Sequence, residues 1–175
     1  MIINYTITSK KTHKLSKKDI KSICVLKNTH WRFSVKSQLD WFKKNTKKND
    51  IHNMLYFKSQ MIGYTLLKNR TCKINSLTKK YLLFDTLILK KSFRKKKISN
   101  LIMNFDNKII RLNNKISFLI CKKNMINFYK KFNWKILEKK NFSILTNISN
   151  MSGMIFNQKN FSTKNNLNYK FFINK

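Results

Sequence analysis

The sequence predicts one mixed α/β domain with a sheet at its centre. Three observations lead there. Apolar residues make up 42% of the 175 residues, enough to build a core despite a formal charge of +33. Short apolar runs with strand-like alternation are interspersed with longer stretches at helical spacing. The most apolar run, Tyr81 to Leu89, leads into a basic loop and then an amphipathic helix, as layered α/β folds do.

Ile2 to Thr8 alternates apolar and polar residues and predicts a first strand. Ser16 with Asp19 three residues later forms a capping box, so a helix is expected over Lys17 to Lys27. Ile20, Ile23, Cys24 and Leu26 would form its buried side. A second helix starts near Val35, with Val35, Leu39 and Phe42 at helical spacing and Trp41 beside them. Lys43 to Asp50 is a polar connection. Met54 to Phe57 and Met61 to Lys68 are strands joined at Lys58-Ser59-Gln60, and Gly63 signals a bulge or a close backbone approach.

Tyr81 to Leu89 is then the central strand and Lys90 to Lys97 the basic loop. Ile98 to Leu112 is a helix with Ile98, Leu101, Ile102, Phe105, Ile109 and Leu112 along one face. Ile116 to Cys121 is a buried strand and Met125 to Phe132 a short helix. Trp134 to Leu137 and Gly153 to Phe156 complete the sheet. The expected domain is residues 1–157, and residues 158–175 are a polar, peripheral C-terminal tail.

Two readings fit the charge. A basic protein attracts polyanions such as nucleic acid. The alternative is compositional: lysine, asparagine, isoleucine and phenylalanine dominate, alanine and proline are absent, and glycine occurs twice. The lysines are spread along the whole chain. Arginine, the better fork for phosphate, appears only at positions 32, 70, 94 and 111. Cys24, Cys72 and Cys121 are odd in number and widely spaced, which predicts free thiols in a reducing cytoplasm. No grouping of His, Cys, Asp and Glu has metal-ligand spacing, so no metal is expected. Neither a leader-like nor a membrane-spanning apolar run is present, so a cytoplasmic protein with no membrane partner is expected. His13 and His52 read as surface histidines.

The segment Leu87 to Ser99 closes a strand and opens a helix. Free N–H groups and the dipole at a helix start favour an anion, and the lysines add attraction. A solvated basic turn is the other reading of the same residues.

This segment resembles the acyl-CoA loop of GNAT acetyltransferases, Arg/Gln-x-x-Gly-x-Gly/Ala after a strand. Arg94 matches the first position, and Lys97 and Ser99 stand where glycines are usual. Downstream, Asn127-Phe-Tyr-Lys-Lys-Phe-Asn-Trp134 resembles the family's Phe-Tyr-x-Lys-x-Gly-Phe segment, with Asn133 at the glycine position. Asparagine is the next best residue for the left-handed conformation that glycine would adopt there. Trp31-Arg-Phe-Ser and Ser37 to Phe42 resemble the acceptor-side helices of GNAT enzymes that acylate amino sugars in surface-polysaccharide pathways.

The resemblance implies a GNAT-like mixed sheet flanked by helices and acetyl transfer from acetyl-CoA to a small-molecule primary amine. Backbone groups of Leu87, Ile88 and Leu89 would hold the pantetheine arm. Backbone amides of Arg94, Lys95, Lys96, Lys97, Ile98 and Ser99 would hold the pyrophosphate. Tyr129 would protonate the departing thiolate, its other reading being a packed aromatic. Asp85, within the most apolar strand, is the candidate base, where a carboxylate is costly unless used or paired with a lysine. His30 and Arg32 would touch the acceptor. The competing function is a non-catalytic GNAT-like basic protein that binds nucleic acid.

Overall fold

A computed structural model describes residues 5–94, 97–144, 151–158 and 168–173. Among these residues lie nine strands and four α-helices. The hydrogen-bonded strand order is β1-β2-β3-β4-β5-β8-β6, with β9 beside β3 and β7 beside β9. The chain forms two compact units, Met1–Lys68 with Thr86–Asp106, and Asn69–Asp85 with Asn107–Lys175. Strands β3 (Gln60–Ile74) and β4 (Leu77–Leu89) and helix α3 (Ile98–Leu112) contribute residues to both.

In the first unit, β1 (Tyr5–Lys11), β2 (Ile51–Phe57) and β3 form an antiparallel meander. A two-residue turn at Lys58 and Ser59 closes on the pair Phe57↔Gln60. The irregularity foreshadowed by Gly63 is present as a register shift between Leu55 and Tyr56. What comes close to Gly63 is a side chain and not another backbone: a Cβ there would lie 2.8 Å from Leu89 Cδ2. Helix α1 (Lys17–Asn28) starts at the expected capping box, with Asp19 N–H donating to Ser16 Oγ (3.1 Å) and Ser16 N–H to Asp19 Oδ2 (2.9 Å). With α2 (Val35–Asn45) it covers one sheet face, where Ile23, Cys24, Leu26 and Phe42 pack on Met54, Tyr64, Leu66 and Ile88. On the other face, Ile98 and Ile102 of α3 pack on Leu55 and Ile62, joined by Tyr5, Ile7, Leu87 and Leu89.

Two expectations are corrected here. His52 is not a surface residue but is fully buried. Strand alternation turns it toward α2, where Phe42 and Tyr64 pack beside its ring. Helix α3 has the expected bounds but a different buried face. Leu101 and Leu112 are 42% and 71% exposed, while Asp106 and Asn107 are buried alongside Ile98, Ile102, Met103 and Ile110. The buried rows follow i→i+4 spacing through residues 98, 102, 106 and 110, and two polar side chains are accepted because each finds a hydrogen-bond partner.

In the second unit, β4 runs parallel to β5 (Ser117–Lys122), and β8 (Met151–Phe156) lies antiparallel between β5 and β6 (Lys135–Leu137). Strand β9 (Tyr169–Phe171) pairs with Cys72 to Ile74 of β3 and runs parallel to β7 (Phe142–Ile144). The peripheral tail is therefore corrected for Tyr169–Phe171. Both aromatics are essentially unexposed, and Phe171 stacks on Phe118 at 3.8 Å between ring centres. Tyr-Lys-Phe is a strand alternation short enough to be overlooked in a polar stretch. Helix α4 (Ile126–Lys130) is followed by a turn that closes at Asn133, whose φ of 63° is the left-handed conformation expected there.

Candidate active site

The first unit contains the loop side of the candidate site. Lys90 N–H donates to Ile62 O (2.8 Å) and ties the end of β4 to β3. By the alternation of an antiparallel ladder, the N–H groups of Leu87 and Leu89 then point to β4's other edge. The chain turns through Lys91–Phe93 and reaches Arg94, whose Nε donates to Leu89 O at 3.0 Å. Arg94 Nη2 also donates to His30 Nδ1 at 3.4 Å. The structure therefore brings together His30 and Arg94, assigned to acceptor and donor binding from sequence. Both are exposed, as is Arg32.

Lys97 has φ 56°, so its backbone keeps the conformation that glycine adopts without strain. Ile98 is buried and Ser99 half-buried in the first turn of α3, while Lys95 and Lys96 lie outside the described residues. A 390 Å³ cavity adjoins this corner, with Lys21, Val25 and Leu26 of α1 facing Gln60, Met61 and Lys90. In the same unit, Lys27 Nζ of α1 sits 3.3 Å and Lys68 Nζ of β3 4.8 Å from the ring centre of Trp41 on α2, and both lysines are buried.

The second unit contains the start of β4 and α4. The parallel ladder between β4 and β5 consists of Leu82↔Ser117 and Leu83↔Phe118, after which β4 continues to Leu89 and β5 to Lys122. Asp85 follows that ladder. It is exposed, which corrects the premise that it sits in apolar surroundings. Alternation on a strand whose neighbours Phe84 and Thr86 are buried turns Asp85 outward. Tyr129 is 8% exposed and packs against Phe84, Phe128 and Trp134, with ring centres 5.1–6.2 Å away. Asn107 secures the corner after α4: its Nδ2 donates to Phe132 O (2.9 Å), and Trp134 Nε1 donates to its Oδ1 (3.1 Å).

Two buried polar clusters of the first unit escaped the sequence reading. His52 Nε2 lies 2.8 Å from Thr12 Oγ1, and His52 Nδ1 lies 2.8 Å from Tyr64 Oη. Burial, with help from Lys27, pushes the imidazole down to about 4. Asp106 accepts from Asn53 Nδ2 (2.5 Å) and Thr65 Oγ1 (2.7 Å), and burial pushes its carboxyl up to about 7 against those two hydrogen bonds. The i→i+4 row through Ile102, Asp106 and Ile110 was a usable signal for Asp106. No local pattern marks His52.

No protein-family model matches the chain, and no curated protein matches it. Solved structures do. YhbS from Escherichia coli, a GNAT family N-acetyltransferase in complex with CoA, superposes with a TM-score of 0.71 at 8% identity, over 98% of this chain and 91% of that one. ElaA from Escherichia coli gives 0.65 at 13% identity, over 87% and 99%. An aminoglycoside 6'-N-acetyltransferase complexed with coenzyme A gives 0.62 at 12% identity, over 85% and 96%. At these identities the likeness is one of fold. The chain has the α/β fold of the GNAT N-acetyltransferases, with a mixed sheet flanked by helices.

Proposed function

We propose that the chain is an acyl-CoA-dependent N-acyltransferase that moves an acetyl group to a small-molecule primary amine, with an amino sugar as the acceptor class. The observation that carries this reading is the β4 edge. The strand runs to Leu89, turns by way of Arg94 and leads through a basic loop into α3. A strand end of this kind is where a pantetheine arm would pair like an added strand. The loop then supplies helix-start amides and cations for a pyrophosphate. The fold shared with proteins solved as CoA complexes supports the same reading.

In the proposed reaction the amine nitrogen attacks the thioester carbon, the C–N bond forms and the C–S bond breaks. Leu89 N–H polarises the carbonyl. Tyr129 gives its proton to the departing thiolate, a phenol being protonated and so able to donate at neutral pH. Asp85, exposed on β4, takes the proton lost by the amine. His30 and Arg32 orient the acceptor, and Arg94 to Ser99 hold the donor phosphates.

Thermal unfolding with acetyl-CoA tests donor binding. A ligand at 100 times its Kd adds about 2.7 kcal/mol, a shift of several degrees. Absence of any shift at millimolar acetyl-CoA, with the fold intact, would overturn the reading. For the chemistry, Tyr129→Phe should lower kcat about a hundredfold or more on an accepted amine, with donor binding retained.

A further inference from the structure

We infer that Asp106 carries a proton in the folded protein, and that its Oδ2–H donates to Asn53 Oδ1 to close a two-hydrogen-bond ring between acid and amide. The argument begins with two orphans. Among the buried side-chain atoms that lack a hydrogen-bond partner are Asp106 Oδ2 and Asn53 Oδ1. They belong to the two residues already joined by Asn53 Nδ2–H to Asp106 Oδ1. Both side chains are fully buried. Two acceptors left bare in the same interior contact are costly. One proton between them satisfies both, because a protonated carboxyl is a donor on one oxygen and an acceptor on the other.

The surroundings favour the neutral form. Asn53 on β2 and Thr65 on β3 are direct cross-strand partners, and Thr65 Oγ1 donates to Asp106 Oδ1. By register, the same face of β1 presents Tyr5, Ile7, Ser9 and Lys11. Lys11, the charged residue of that row, is exposed, and Tyr5 is half-buried. In this unit β4 contributes Leu87 and Leu89 to that face, and α3 itself contributes Ile98 and Ile102. His52 is on the opposite face of β2. Burial is accordingly what raises Asp106, to about 7, and charges are absent from the causes.

The sign follows. The folded state holds this proton up to about pH 7, whereas the unfolded chain releases it near 3.8. The stabilising contribution is therefore complete below about pH 4 and is lost as pH rises through about 7. Asp106→Asn is an uncharged analogue of the protonated pair, since its amide N–H can donate where the O–H does.

The test uses the wild-type chain labelled with ¹³C at its aspartate carboxyls. There are five: Asp19, Asp40, Asp50, Asp85 and Asp106. One signal, absent from D106N, should titrate near pH 7. Titration of all five in the ordinary carboxyl range would overturn the inference and needs no variant. Urea unfolding at successive pH values adds the energetic arm. The ratio of unfolding constants, wild type over D106N, should rise about tenfold per pH unit from about 4 to about 7 and then level off. A ratio independent of pH would also overturn it.

Discussion

His52 supplies a prediction whose size can be worked out. Replacing it with Phe removes two hydrogen bonds, a part-buried one to Thr12 Oγ1 and a buried one to Tyr64 Oη, each 2.8 Å long. At about 1 kcal/mol net apiece, H52F should be less stable than wild type by about 2 kcal/mol at pH 7.5. Acid changes the balance. The folded imidazole stays neutral down to about pH 4, because burial and Lys27 disfavour its cation, while the unfolded histidine takes a proton below 6.5. The unfolded state then binds more protons, so wild-type stability falls as pH drops from about 6.5 to about 4. A displacement of that size corresponds to about 3 kcal/mol, and H52F does not suffer it. The two stabilities should therefore cross near pH 5, with H52F the more stable at pH 4. Asp106 titrates in the same window with the opposite sign, but it does so in both proteins and cancels from the difference. The assay is urea unfolding of both proteins at half-unit pH steps, with the imidazole signals followed by NMR in the wild type. A deficit that stays constant from pH 7.5 to 4, or a His52 signal that titrates near 6.5, would refute the reasoning.

Further outcomes follow from the same geometry. Gly153→Ala puts a Cβ 2.6 Å from Phe142 Cζ and 3.0 Å from Phe118 Cε2, two packed rings, and should destabilise by about 1–3 kcal/mol in urea unfolding. Gly63→Ala meets the end of the Leu89 side chain at 2.8 Å, which can turn aside, so it should cost less in the same assay. Asn107→Leu leaves Phe132 C=O and Trp134 Nε1–H without their buried partner and should cost about 2–4 kcal/mol, with the tryptophan fluorescence altered in the folded state. Lys97→Gly relieves a left-handed lysine and should raise stability by up to about 1 kcal/mol, measured by thermal unfolding.

Much of the fold is legible in the sequence because local signals and tertiary packing agree. The Ser16–Asp19 box starts α1, apolar spacing sets both ends of α3, and the run from Tyr81 to Leu89 is the central strand. Asn133 was legible as well, since few residues other than glycine accept a left-handed φ. The candidate site was legible as a segment: the strand edge, Arg94 and Lys97 follow one another along the chain. The pairing of Arg94 with His30 joins residues 64 positions apart and needed the fold.

What only the tertiary structure decided concerns polar residues inside and short strands at the margin. Hydropathy assigns Asp106, Asn107 and His52 to the surface because it assumes each would be bare when buried. Asn53 and Thr65, Phe132 and Trp134, Thr12 and Tyr64 come from distant positions and supply the missing partners. Tyr169–Phe171 enters the core because the edge of β3 at Cys72–Ile74 offers it a ladder, which three residues in a polar stretch cannot announce. The sequence by itself determined the helices and the main strands, since those follow from spacing and backbone preference. Which polar groups are buried depended on partners that only the folded chain brings within hydrogen-bond reach.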